Sequence, residues 1–398
     1  MYKQVIPKLR FPEFGGMWEV KKFGDIAKFI GGGTPSTKTN EYWRGEVPWI
    51  SSSDLIEGDV HRIKIHRFIT EEAIKSSATK IIPAGSVLIV SRVGVGKVAI
   101  NKVPLCTSQD FQCAILTSAD KIFIAYLIQF KAQKFTQLNQ GTSIKGVVKE
   151  DLNNLPLSLP LLSEQTKIAD FLTVIDDYIQ KLTKKKVLLE QYKKGLMQQI
   201  FSQKIRFKAD NGNDYQVWEI KKIKEAVTVN PITKQKLPAA FNYIDLESVE
   251  NGVLNKTIFL NIKEAPSRAQ RLLQKNDILY QMVRPYQKNN LFFDLEQNNY
   301  VASTGYAQLR TVNNPQYIYQ YLHTDSFVND VMLRCTGTSY PAINSTDLSD
   351  IKILLPSLPE QTKIAKLLTV MDEKIRLNNT LLEQSKLFKK AMLQQLFV

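Results

Sequence analysis

Cysteine and histidine are scarce in this chain of 398 residues, with three of each. Cys106, Cys113 and Cys335 lie in apolar or strand-like surroundings and show none of the paired spacings that hold zinc or build a disulfide framework. They read as small core or surface residues. His61, His66 and His323 offer little raw material for a zinc-ligand cluster or a Ser-His-Asp triad. Long apolar runs are missing too, and none approaches the roughly 20 residues of a membrane-spanning helix. The opening stretch MYKQVIPKLRFPEF has no apolar segment of signal-peptide type, so the expected location is cytoplasmic. One apparent phosphate loop also fails. SRVGVGKVAI ends like a Walker motif at Gly96 and Lys97, but Ser91 stands where its first glycine belongs and Val98 where Ser or Thr belongs. It reads instead as a strand, a glycine turn and the next strand, with Arg92 and Lys97 presented at the turn.

Positive charge, by contrast, is in excess. Lys plus Arg number 53 against 38 Asp plus Glu, a formal charge of +15 and a pI near 9.4. Such a balance points to a polyanionic partner, nucleic acid first. A membrane surface is the weaker alternative, because no amphipathic basic helix stands alone at a terminus. The length exceeds what one hydrophobic core sustains, so two or more domains are expected.

The chain repeats itself. EQTKIADFLTVIDDYI from Glu164 returns as EQTKIAKLLTVMDEKI from Glu360, a period of 196 residues (360 less 164). GTSIKGVVKEDLNNLPLSLP from Gly141 is echoed by GTSYPAINSTDLSDIKILLP from Gly337, and GLMQQIF from Gly195 by AMLQQLF from Ala391. The entrances correspond as well: KLRF at Lys8 with KIRF at Lys204, and WEVKKFGDIA at Trp18 with WEIKKIKEAV at Trp218. Between these shared frames the halves diverge almost completely. One scaffold is carrying two different readers.

Both shared C-terminal segments are predicted to be helices of ~35 residues, or ~50 Å at 1.5 Å per residue. Ile168, Leu172, Ile175, Ile179 and Leu182 follow the three-four spacing of a coiled-coil seam, as do Ile364, Leu368, Met371 and Ile375. The helices can dock on their own globular halves or pair antiparallel as a spacer. Their near-identical stripes favour pairing, which would relate the halves by a pseudo-two-fold axis. The middles have the texture of small α/β domains. EVPWIS, IKIHRFI, SVLIVSRV, GKVAIN and FQCAIL read as strands before a helix near Lys121 to Leu138. FNYIDLESV, TIFLNI, DILYQMV, NLFFDL and GYAQLR play the same part before a helix near Pro315 to Leu333. The expected fold is α+β, two mixed α/β domains joined by two long antiparallel coiled-coil helices. The expected segments are an N-terminal arm (1–17), a first domain (18–160), a central helix (161–206), a second domain (207–356) and a C-terminal helix (357–398).

DNA bases are read by Arg or Lys on guanine, Asn or Gln on adenine, and apolar or hydroxyl contacts on thymine. The loop TPSTKTNEYWRG supplies Lys38, Asn40, Tyr42 and Arg44 of these and allied types. MVRPYQKNN supplies Arg284, Tyr286, Gln287, Lys288 and Asn289, near the place that Arg92 and Lys97 hold in the first half. Each type is commonplace on a loop, but together they fall in the private middle of each half. The two GTS triplets can hydrogen-bond phosphate through backbone and hydroxyl, or serve as tight structural turns. In the first case Ser143 and Ser339, with Lys145 and Tyr340 just beyond, would face the DNA.

In this order the motifs resemble the specificity subunits of Type I restriction-modification systems. The resemblance rests on WEVKKFGDIAKFIGGGTPSTKTNEYW with PWISSSDL, the SRVGVGKVAI hairpin, the GTS turn, and LPLLSEQTKIA and LPSLPEQTKIA before a long helix. It covers essentially the whole chain, although the second half lacks the GGGTPS-type entrance. It implies two target-recognition domains, each reading one half of a split, asymmetric site in double-stranded DNA, with the helices as a ruler for the unread spacer. It implies no catalysis, cofactor or metal in this chain. Two modification subunits would supply S-adenosylmethionine and methylate a flipped adenine, and two restriction subunits would supply ATP- and Mg-dependent translocation and cleavage. The residues agree: Asn230-Pro231 and Asn314-Pro315 lack the second proline of an adenine methyltransferase motif. The competing readings are a self-contained DNA-modifying or DNA-cleaving enzyme and a stand-alone DNA-binding regulator.

Overall fold

The computed structural model describes residues 6–138, 146–232, 236–297 and 299–398, apart from the side chains of 133–138. The chain forms two compact units, Met1–Lys184 together with Thr380–Val398, and Lys185–Asn379. Each long helix is therefore shared between them. Among the described residues no helix is long and apolar enough to cross a membrane.

In the first unit, strand Val87–Val90 is buried along its whole length, which sets the layering. Val87 and Ile89 face a core built on the helix Lys121–Leu138, while Leu88 and Val90 face a second core with Ile50, Leu55 and Leu105. This is the period-two alternation of a strand covered on both sides. Its antiparallel sheet runs in the order Ala27–Gly31, Phe111–Leu116, Val87–Val90, Val98–Ile100. The second sheet runs Phe68–Ile69, Val47–Ile50, Leu105–Thr107, Ile81–Ile82, with a parallel pair at its centre. Helix, sheet and sheet form three layers.

The second unit repeats this order strand for strand. One sheet is Thr228–Val229, Tyr306–Arg310, Asp277–Gln281, Leu291–Phe293; the other is Ile258–Asn261, Ala240–Ile244, Tyr300–Ser303, Ala269–Leu272. The central pair of the latter is again parallel. A short hairpin, Val249–Glu250 with Val253–Leu254, is the insertion. The helix expected near Pro315 to Leu333 is two helices, Pro315–Tyr321 and Asp325–Met332. Thr324 interrupts it: its hydroxyl accepts from the Phe327 amide and caps a new start. IKIHRFI contributes only Phe68–Ile69 to a strand.

The repeated motifs are the joints of the frame. An antiparallel pair ties entrance to exit in each unit, Glu19–Lys22 with Pro156–Leu159 and Glu219–Lys222 with Lys352–Leu355. Arg10 of KLRF donates to both oxygens of buried Glu164, at 2.8 and 2.7 Å. Arg206 of KIRF does the same to buried Glu360, at 3.2 and 2.8 Å. Gln165 and Gln361 accept from the backbone at the heads of the preceding helices, Asp120 and Asn314, and donate to Pro160 and Pro356. Each EQ pair thereby fixes the start of a long helix to its own domain.

The central helix spans Leu162–Phe201 and the C-terminal helix Leu358–Leu396. Ile168, Leu172 and Ile175 enter the first unit's core, where they meet Leu393, Leu396 and Phe397 from the far end of the other helix. In the second unit Ile364 and Leu368 share a core with Met197, Ile200 and Phe201. Start meets end in each unit, so within each unit the helices run antiparallel. They both dock on a domain and pair. Leu182 and Met371 are buried, whereas Ile179 and Ile375 are half-buried.

Candidate nucleic-acid interface

The first unit's GGGTPS loop is built by close backbone approach. A Cβ on Gly32 would lie 2.1 Å from the Ser108 carbonyl oxygen, so only glycine fits. The Gly33 amide then donates to Thr107, and the indole of Trp49 to the Gly33 carbonyl. Further along, the Trp43 indole donates to Ser36 and its ring meets Trp49 edge-on. Half-buried Tyr42 packs in the same cluster. Lys38, Asn40 and Arg44 are exposed on this braced loop. Tyr42 is thus a brace for the loop, and the other three are its outward groups.

The turn after Val87–Val90 carries Arg92, exposed, and Lys97, half-buried with its ammonium donating to the Ser52 carbonyl. The Val147 amide donates to the Ser91 carbonyl at 2.8 Å, which sets the chain just after the GTS segment against this turn. Ser143 and Lys145 lie outside the described residues. Arg92, Asp110, Gln112 and Lys149 line a cleft of about 630 Å³ there.

The second unit makes the same junction in full. The Ile343 amide donates to Met282, the Arg284 amide to Pro341, and Thr336 pairs with Ala342 in both directions. The segment from Gly337 to Pro341 is therefore a tip projecting beside the MVRPYQKNN turn. Ser339 and Tyr340 are exposed on it. The guanidinium of half-buried Arg284 lies over the Tyr340 ring, 4.2 Å from its centroid. The sequence candidates split here too. Tyr286 and Gln287 are exposed. Lys288 donates to the His323 carbonyl and to Asp325, and Asn289 accepts from the Asn251 amide. Lys288 and Asn289 hold the turn in shape.

Each unit also holds a polar knot that sequence reading passed over. In the first unit Lys389, 6% exposed, donates to Asp176 and to the Gly58 carbonyl, and lies over the Tyr126 ring. Tyr126 donates to the same carboxylate, and His61 meets the Tyr126 hydroxyl at 2.9 Å. Burial lowers the His61 pKa, partly offset by Asp176. The second unit's version is Lys193 with Asp372, joined by Gln320. The repeat relates the two pairs without showing that either forms: Lys389 and Asp372 stand one period, 196 residues, after Lys193 and Asp176.

The thiols belong to the core. Cys106 and Cys113 are buried, all three cysteines are free, and burial pushes the Cys113 thiol up to about 12.

The sequence model of the family described as Type I restriction modification DNA specificity domain matches the chain twice, over residues 16–191 and 215–386. The chain is 26% identical to the Type I restriction enzyme MjaIX specificity subunit of Methanocaldococcus jannaschii, over 95% of this chain and 92% of that one. In fold it is similar to the S subunit of the Type I restriction-modification system from M. genitalium, with a TM-score of 0.64 at 16% identity over 99% of both chains. A chain from a structure addressing complex assembly and conformational transition of the type I system gives a TM-score of 0.56 at 18% identity, over 100% of this chain and 99% of that one.

Proposed function

Because the chain belongs to the Type I restriction-modification DNA specificity family and carries its domain twice, we propose that each unit reads one half of a bipartite, asymmetric DNA site. The protein is a DNA-specificity subunit. The observation that carries the split reading is the identity of strand order in the two units against the difference in what they present at equivalent turns. At the turn after the central buried strand the first unit presents Arg92 and the second Arg284, Tyr286 and Gln287, with Tyr340 on the adjoining tip; the first unit adds Lys38, Asn40 and Arg44 on the loop before Val47–Ile50. Equal frames give equal placement on DNA, and unequal loops give unequal base preference.

In this proposal the subunit performs no chemistry. Two modification subunits bind S-adenosylmethionine and methylate adenine, and two restriction subunits use ATP and Mg. Specificity subunits as relatives support the non-catalytic role, as does the missing methyltransferase motif. The charge of +15 supplies salt-dependent attraction for the DNA backbone.

The test is methylated-base mapping on genomic DNA treated with the chain and its cognate modification subunit. A single split motif with two unlike halves is the expected result. Methylation without a common split motif overturns the reading, and magnesium-dependent cleavage by the isolated chain would favour an enzyme instead.

A further inference from the structure

We propose that Arg284, stacked on Tyr340, reads a guanine in the half-site of the second unit. This rests on the bipartite reading above and adds to it one residue, one base and one geometry.

The basic side chains of the candidate interface divide by what already holds them. Lys97 is committed to the Ser52 carbonyl, and Lys288 to the His323 carbonyl and Asp325. Arg67 also lies over a ring, that of Trp49, but its guanidinium donates to Ser51 and Asp54. Arg284 differs: among the described residues its guanidinium has the Tyr340 ring and no carboxylate or carbonyl acceptor. Its donors remain available.

The backbone beneath it is specialised. Arg284 has φ 53° and ψ 52°, and Lys288, at the other end of the same short 3-10 turn, has φ 56°. Non-glycine residues rarely occupy this left-handed region, and strain of this kind persists only where the surroundings over-determine it. Here they do. The Arg284 amide donates to Pro341 across the tip, Pro285 is buried, and Lys288 is anchored at both its acceptors. The strained residue therefore sets the origin of the side chain, and the Tyr340 ring holds its guanidinium on one side.

This arrangement suits a base edge better than a phosphate. A guanidinium fork can pair with a phosphate as well as with a base edge, and the place of this one in a turn that differs between the two units favours the base. A guanidinium seated against an aromatic face keeps its paired N–H donors free for an acceptor at its edge. The edge with two adjacent acceptors is guanine, through O6 and N7, whereas adenine presents an acceptor beside a donor. Tyr340, 64% exposed, lies at the projecting tip and can follow the arginine into the groove.

The experiment uses the full chain with its cognate modification subunit, first on genomic DNA to obtain the motif, then on duplexes with each specified base pair replaced in turn. The wild-type motif should contain a G:C pair in one half-site at which Arg284→Lys and Arg284→Asn both lose discrimination by roughly ten- to a hundred-fold. Asn tolerates the left-handed backbone, so a folding defect and a reading defect are separable. Tyr340→Ala should weaken discrimination at the same position and Tyr340→Phe should keep it. The other half-site serves as the internal control. The inference is overturned if no G:C pair is specified in either half-site, if the arginine variants lose activity equally on all sequences, or if their motif is unchanged. Failure of the wild-type complex to produce any split motif would instead count against the bipartite reading itself.

Discussion

Lys389 shows how much a single side chain can be asked to hold. An ammonium buried beside a carboxylate and a carbonyl is stable only with both partners in place, and Asp176 needs it in return. Removing one charge should cost about 3 kcal/mol, so Lys389→Met is expected to lower the urea midpoint of unfolding substantially. Lys389→Met with Asp176→Leu should recover much of that loss. The equivalent Lys193–Asp372 pair has side-chain exposures of 17% and 41%, and Lys193→Met should cost under about 1 kcal/mol. Equal effects at the two sites would contradict this ranking. His323 gives a pH counterpart. Its Nδ1 donates to the Tyr319 carbonyl, Asn290 faces its Nε2, and desolvation brings its pKa to about 4. The folded state thus holds the neutral ring where the unfolded chain, near 6.5, takes a proton. Stability from this residue is complete above pH 6.5 and is lost as pH falls toward 4, by up to about 3 kcal/mol. His323→Gln should flatten that part of the curve of melting temperature against pH. None of these roles was legible at the residue scale, because a lone lysine or histidine in sequence says nothing of what surrounds it. The loop cations were legible as a set, yet only structure separated Arg284 and Arg92 from the committed Lys97 and Lys288.

At the scale of elements the repeat was informative, since KLRF and EQTK recur together. The structure gives the reason: Arg10 reaches Glu164 and Arg206 reaches Glu360, both glutamates being nearly inaccessible. Arg206→Met should destabilise the second unit by roughly 3 kcal/mol by leaving the Glu360 carboxylate, among the described residues, with the Trp218 indole alone. Differential scanning calorimetry should show this as a lowered transition, and an unaltered melting profile would mean the clamp is dispensable. Seams such as Ile168, Leu172 and Ile175 were readable from their spacing because helical periodicity extends over many residues. Strands such as Ile81–Ile82 and Leu105–Thr107 were not, because two or three residues carry no alternation to detect. The second-half helix was misjudged for a related reason. The break between its apolar stretches is three polar residues, His323 to Asp325, too short to stand out from a polar face, although Thr324 before Asp325 is a cap signal.

For the molecule as a whole, the boundary between the compact units falls at Lys184/Lys185 in the central helix and Asn379/Thr380 in the C-terminal helix. Both breaks lie inside continuous helix, away from either set of loops. If the two readers are held apart by these helices, length added at the boundary should act on spacing alone. Four residues inserted after Lys184 and four after Asn379 add about one turn to each helix, or ~6 Å. At ~3.4 Å per base pair that is close to two base pairs of spacer. The expected outcome in methylated-base mapping is a motif whose two halves are unchanged and whose gap has grown. Inserting in the central helix alone leaves the C-terminal helix four residues short, so the antiparallel register cannot be kept in both units and stability should fall as well. Altered bases with unchanged spacing would sink the ruler. It would mean that the loops, through Arg284, Arg92 and their neighbours, respond to the helices instead of standing independently upon them.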